Sequence, residues 1–598
     1  MEPKERSRLA EQDTWSVDEM YPTAELLEAD FERLEALMAD LAGREGTLTA
    51  SVEALLAALQ LRDALWRVSS NLYAFSRMKK DEDNRLPERQ ALYDRAAGIS
   101  VRADSAVSYM VPELLAAEEA HLLALMADPR LADYRFHVTD LLRRKAHTLT
   151  AAEERLLAMS GEMASGPRDI FSMLNNADLR FGTLRDEAGA ERELTKGNYV
   201  TFMESPDRDV RRQAYEGLYD AYRGMRNTLG TTLIAAFKKD AFYARARNYD
   251  SVLAMSLDDD CVPLGVYDGL IASVRAHLPA MHRYVDLRRR ALKLEVLAPY
   301  DLYVPLVHEA NRRIPYGEAV ETVRQGLGAL GEAYGQLLAE GFSNRWIDVY
   351  ETPGKTSGAY SWGTYDSKPY VLLNYQENLN YVFTIAHEMG HSLHSWLSRK
   401  HQPYINADYK IFVAEVASTV NEALLMQHLL AQDITDQERL FLLNHFMEQY
   451  KGTVYRQTMF AEFEKTVHGL VDSDAPVTTE QLCGLYEQLN RDYYGPGLAV
   501  DERLSHEWMR IPHFYTPFYV YKYATGFCAA MAISRRILTE GAPAVADYLR
   551  FLSAGGSDHP IELLKIAGVD MTSPETVGSG LAVFSEILDQ AEVLLERL

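Results

Sequence analysis

The chain has 598 residues, 47% hydrophobic and 25% charged, with a formal net charge of −25. It is several times longer than a single domain of ~150 residues and ordinary in composition, which excludes wholesale disorder and allows a core of several layers. The acidic balance argues against nucleic acid or an anionic membrane face as partner, since both need a basic surface.

Helical periodicity dominates the first third. Residues 24–42 put Leu26, Leu27, Phe31, Leu34, Leu37 and Met38 on one stripe, and stretches near 52–75, 88–110, 113–127 and 150–165 repeat the pattern. Segments 179–184 and 191–195 flank a DEAG turn and predict a small hairpin. Ser205-Pro206 then predicts a helix start, with Ser205 as cap and Pro206 at the first position. The break near 180–205 is the best boundary. The expected regions are an N-terminal helical one (1–110), a second helical segment with the hairpin (111–200) and the remainder of the chain (201–598).

Residues 353–375 form the non-helical stretch of the second half. Gly354, Gly358 and Gly363 loosen the backbone, and Tyr370-Val371-Leu372-Leu373 is rich in strand formers. A strand edge here could pair with an extended peptide through main-chain hydrogen bonds, with glycines letting the loop approach or close over it. Gly358, Tyr360 and Tyr370 are the candidate substrate contacts. The alternative is a simple connector.

A helix at about 378–399 carries His387-Glu388-Met389-Gly390-His391. Two histidines four apart share a helix face and can meet one tetrahedral ion, while Glu388 can reach a water without being a ligand. Three ionisable groups in an otherwise apolar helix fit ordinary core packing poorly. A catalytic zinc needs a third protein ligand. Glu415 interrupts the apolar surface of the next helix, 408–426, and a second helix closes the geometry better than His394, the rival on the motif helix itself. Glu422 lies two turns beyond Glu415, either orienting a histidine N–H or as an ordinary glutamate.

Near the carboxyl end, HFYTPFYVYKY (513–523) crowds His513, Tyr519, Tyr521 and Tyr523, whose N–H and O–H groups could stabilise an oxyanion or simply pack. Tyr519 and Tyr523 share a face if a helix begins near Pro517. Arg510 reads as a surface arginine.

Together, IAHEMGHSLHS (385–395), IFVAEVASTVNE (411–422), GKTSGAYSWG (354–363), YVLLNY (370–375) and IPHFYTPFYVYKYATGF (511–527) resemble oligoendopeptidase F, within the thimet-oligopeptidase family of zinc metallopeptidases. The resemblance covers most of the chain from about 115 onward. It implies a mainly α fold of two helical lobes around a deep substrate channel, with a small β element beside the HExxH helix. It implies one zinc held by His387, His391 and Glu415, Glu388 as base, and His513 with tyrosines on the substrate carbonyl. The spacing departs from the thimet pattern here, which leaves the choice among Tyr519, Tyr521 and Tyr523 open; Tyr519 and Tyr523 stand as the donors and Tyr521 as a substrate contact. Short peptides are the implied substrates. A helical metallocarboxypeptidase and a non-enzymatic peptide-binding protein are the alternatives. Three scattered cysteines without CxxC spacing, no apolar leader and no long apolar run complete the expectation of a cytoplasmic enzyme.

Overall fold

The computed structural model describes residues 4–307 and 313–597. Helices make up 72% of the chain, so the mainly α class stands. Early helices fall where the apolar stripes lie, over Ala24–Ala42, Val52–Glu82 and Pro87–Val107. Thr23 and Ser51 accept the N–H groups of Leu26 and Ala54, and Pro87 sits at a first position, where its missing N–H costs nothing. The expected 113–127 helix is instead two short ones, Met110–Ala116 and Glu119–Met126.

Two small sheets complete the fold. In the hairpin, β1 (Thr183–Arg185) pairs antiparallel with β2 (Glu191–Glu193) across a turn with Gly189 at φ +76°. The second sheet has β3 (Ile347–Asp348) parallel and β4 (Tyr360–Trp362) antiparallel to β5 (Tyr370–Leu372), in the order β3-β5-β4. The strand foreseen at 370–375 is thus the central one, and both its edges are taken. The outer edge belongs to β4. The helix expected from Ser205-Pro206 begins later, at Arg208: Asp207 caps it, and the Ser205 hydroxyl accepts the Asp207 N–H one step before.

By internal contacts the chain divides into two compact units, each assembled from separated stretches. One comprises Met1–Ala146, Arg312–His428 and Ile533–Gly568. In it the N-terminal helices share a core with Tyr370 and Leu372, so β5 packs its side chains into that bundle. The glycine-rich loop is stapled to the end of the Val52–Glu82 helix. Asp81 accepts the Thr356 and Tyr360 hydroxyls at 2.7 and 3.0 Å, and the Gly354 carbonyl accepts the Asn84 N–H at 2.8 Å. Beneath the loop, the fully buried Asp348 carboxylate pairs with Lys355 at 2.7 Å and Arg6 at 2.5 Å. A buried carboxylate with two cations is satisfied in place, and loss of one partner would strand a charge.

The other unit comprises His147–Asn311, Leu429–Ala532 and Val569–Leu598. Its Arg456–Asp472 helix carries His468, which is buried between the rings of Phe237 and Phe518, at centroid distances of 4.2 and 4.8 Å. Neither ring nitrogen finds a hydrogen-bond partner among the described residues. Burial pushes this imidazole down to about 3. The unfolded chain therefore takes up a proton from about pH 6.5 downward while the folded chain resists, so stability falls progressively between about pH 6.5 and 3. His468→Phe removes that penalty in a phenyl-lined site. Its melting temperature should fall less steeply than the wild type's over this interval; equal slopes in thermal melts would refute the assignment.

Candidate active site

The HExxH helix runs Leu379–His401. Asn378 opens it by accepting the Tyr381 N–H, and Arg399, Lys400 and His401 occupy its last turn, where cations suit the negative end of the helix dipole. Val382, Phe383, Ile385, Ala386, Met389 and Leu393 are buried and fix its rotation. Its partner helix runs Ile411–Leu430.

Gly390 sets the spacing of the two helices. A Cβ at this position would lie 2.6 Å from the Ser418 Cα and 2.7 Å from the Ala417 carbonyl oxygen, so the two backbones touch where a side chain would otherwise stand. Asn421 locks the same contact by donating to the Ala386 carbonyl at 2.9 Å while accepting the Tyr334 hydroxyl at 2.9 Å.

The close approach brings three donor atoms together. Nε2 of His387 and Nε2 of His391 are 3.2 Å apart, and each lies 3.4 Å from Oε2 of Glu415. Ligand bonds of about 2.0–2.1 Å in a tetrahedral zinc site imply edges of about 3.3–3.4 Å between ligands. The triangle therefore fits that ion. Among the described residues it is the one His/Cys/Asp/Glu group close enough to hold a metal. Glu422 sits 2.5 Å from Nδ1 of His387, so Nδ1 carries the proton and Nε2 presents its lone pair to the triangle. Electrostatics agree that the triangle wants a cation. Although desolvation opposes charge on His387, Glu415 and Glu422 draw its pKa well above the ordinary imidazole value. Burial alone would raise Glu415, yet the two histidines hold it well below the usual carboxylate range.

Glu388 is 7% exposed on the same helix, and burial raises its pKa above the ordinary carboxylate value. A carboxylate of raised basicity beside the ligands suits proton transfer. Ser392, one residue past His391, donates to the Glu388 carbonyl at 2.9 Å. Its single proton is then committed, so Ser361 of β4 donates to the Ser392 Oγ at 2.8 Å. Edge strand and motif helix are joined by that pair.

His394 is elsewhere. It is fully buried, stacks on Tyr409 at 3.7 Å, and burial lowers its pKa to about 3. The carboxylate that converges with His387 and His391 is that of Glu415. Of the candidate substrate contacts, Gly358 is exposed at φ +86° with open space around it, and its carbonyl accepts from Asn374 at 2.8 Å. Tyr360 is half-buried with its hydroxyl on Asp81. Tyr370 is buried, its hydroxyl donating to the Ser16 carbonyl at 3.3 Å, so this side chain faces the core.

In the other unit the aromatic segment forms a short turn at Pro512–Tyr515, and its helix starts only at Tyr521. His513, Tyr519 and Tyr523 nevertheless gather into one cluster. His513 lies parallel to Tyr519 at 5.9 Å and edge-on to Tyr523 at 5.9 Å, and the two tyrosine rings are 5.4 Å apart. All three are half-buried. Burial lowers the His513 pKa, which keeps its ring neutral near pH 7. Tyr521 turns the other way, fully buried against Tyr267. Arg510 is not a bare surface residue: it pairs with the buried Glu507 at 2.8 Å, which also holds Arg456 at 2.7 Å. Sequence reading missed two supports, Ser361–Ser392 and Glu464. The Glu464 carboxylate accepts the Phe518 N–H at 2.9 Å. Neither carries a motif; the positive φ of Phe518 (+52°) is a feature of the fold alone.

Comparison with known proteins follows this geometry. The model of Peptidase family M3 matches residues 201–583, and that of Oligopeptidase F matches residues 113–181. The chain is 43% identical over 595 residues to oligopeptidase PepF of Bacillus subtilis (strain 168), covering 99% of this chain and 89% of the relative. A crystal structure from Chlamydophila abortus superposes with a TM-score of 0.92 at 33% identity, covering 99% of this chain and all of that one. The oligoendopeptidase-F of Enterococcus faecium superposes with a TM-score of 0.75 at 35% identity, over 98% and 100% of the two chains. The chain therefore belongs to peptidase family M3, with the oligoendopeptidase F enzymes, and is a peptidase.

Proposed function

We propose that this peptidase is a zinc-dependent endopeptidase that cleaves internal bonds of short oligopeptides, with His387, His391 and Glu415 as ligands and Glu388 as general base. The observation that carries this reading is the donor triangle, whose edges suit a tetrahedral ion and in which Glu422 turns the His387 lone pair inward. Zinc so held supplies Lewis acidity toward a water and toward the scissile carbonyl. The chain's own residues supply the rest. Glu388 takes a proton from the attacking water and later returns it to the nitrogen of the breaking C–N bond, so the amine leaves neutral. His513, with Tyr519 and Tyr523, donates N–H and O–H groups to the oxyanion that develops on the attacked carbonyl. No covalent enzyme intermediate is needed.

Substrate selection follows from main-chain recognition. The outer edge of β4 offers backbone groups to an extended peptide, and its tie to Ser392 holds that edge in register with the motif helix. Because Tyr360 and Tyr370 have their hydroxyls engaged elsewhere, the strand and Gly358 would contact substrate through backbone rather than side chains.

The direct test is mass spectrometry of products from a mixed peptide pool, with each peptide also supplied amidated. Internal cleavage products, equal for free and amidated carboxyl termini and lost with chelator, are expected. Products confined to free carboxyl termini would refute endopeptidase action. Glu388→Gln should keep about one zinc per chain while kcat falls by roughly 100-fold or more; a metal-loaded variant with near-normal turnover would remove Glu388 from its role. Gly390→Ala drives a methyl group against the Ser418 and Ala417 backbone. Zinc affinity should weaken by about tenfold or more with helicity retained, measured by competition with a chromophoric chelator. Unchanged affinity would show that the helix contact does not set the ligand triangle.

A further inference from the structure

One buried acid lies outside the machinery described so far and reaches it through a single backbone bond. Phe518 immediately precedes Tyr519 and adopts φ +52°. For a bulky side chain this left-handed conformation is costly, and it persists only where the surroundings hold it. Two features hold it here. The ring is wedged edge-on to Tyr267 at 5.5 Å and against His468 at 4.8 Å. The N–H is held by Oε1 of Glu464 at 2.9 Å, across 54 residues of sequence. Glu464 is wholly buried, and its Oε2 meets no hydrogen-bond partner among the described residues. Such a group is expensive to keep in a core unless its one bond matters. The backbone turn it holds is the one that aims Tyr519 at His513 and Tyr523.

We infer that Glu464 is a positioning residue: its carboxyl group holds the strained turn at Phe518 and thereby sets Tyr519 within the donor cluster. The inference rests on the proposed role of that cluster. Burial, with Asp240 nearby, raises the Glu464 pKa well above the usual carboxylate value, which disfavours its charged form. A glutamine can then replace it with the accepting oxygen intact, whereas a leucine fills the volume and removes the acceptor.

The test compares kinetics of the full-length, zinc-loaded enzyme and four variants on one internally cleaved peptide. Glu464→Leu should lower kcat by about tenfold with KM within about twofold, because only the transition-state donor is displaced. Glu464→Gln should restore kcat to within about twofold of wild type. Tyr519→Phe should lower kcat on its own, and adding Glu464→Leu to it should cost less than about a further twofold, since both act through one hydroxyl. A full additional tenfold loss in the double variant, or a glutamine variant as poor as the leucine, would overturn the positioning role. So would wild-type kcat in a Glu464→Leu enzyme whose Tyr519→Phe counterpart is impaired, and in that case the donor cluster stands without Glu464. Wild-type kcat in Tyr519→Phe would instead refute the donor role of Tyr519 and the inference with it.

Discussion

The site depends on one backbone contact. At Gly390 the HExxH helix meets the helix of Glu415 closely enough that the Ser418 Cα occupies the space of a side chain. A straight helix presents two of the converging donors from one face, at His387 and His391, but the third must arrive from another direction. Helix axes separated by ordinary side chains lie 8–10 Å apart, and a glutamate on the far helix would then spend its reach crossing the gap. Removing the Cβ lets Glu415 meet both imidazoles at 3.4 Å. Met389 and Gly390 thus divide two tasks: the first packs into the core, and the second yields space.

That contact also explains the carboxylates. Glu388, Glu415 and Glu422 surround two histidines in a half-buried site, an excess of negative charge that partial burial makes costly to leave unbalanced. Each has a different task set by position. Glu415 points into the triangle, Glu422 points at the back of His387, and Glu388 stands beside the ligands with raised basicity. The proposed zinc would balance the excess, and the split of positions follows from where the two helices place each side chain rather than from residue type.

Much of this was legible in the sequence, for physical reasons. HExxH spacing is a statement about helix pitch, and an acidic residue in an apolar helix is a statement about desolvation, so His387, His391, Glu388 and Glu415 stand out in the bare chain. Strand pairing was less legible, because β4 and β3 are too short to show alternation. The order β3-β5-β4 placed the foreseen strand in the middle of the sheet rather than at its edge. Ser205 looked like the cap, yet the helix starts at Arg208 and Asp207 caps it by accepting the Asp209 N–H, while Ser205 accepts the Asp207 N–H one step earlier. Arg510 read as a surface cation because its partners, Glu507 and Tyr219, depend on the fold.

The supports of the site are non-local in just this way, and they decide how rigid it is. Glycines in the 354–363 loop suggest a moving flap, but their freedom is spent on fit. Gly354 at φ +82° makes room for Asp83, whose Oδ1 would lie 2.1 Å from a Cβ there, and Gly363 lies against the Lys368 carbonyl and Arg399. Between them Thr356 and Tyr360 are bound to Asp81, and Lys355 to Asp348. A loop so anchored presents β4 as a fixed edge, and Gly358, with open space around it, is held at its carbonyl by Asn374. Preorganised backbone of this kind suits the proposed main-chain recognition: the ordering cost is met on folding, and each peptide would find the same row of donors and acceptors regardless of its side chains.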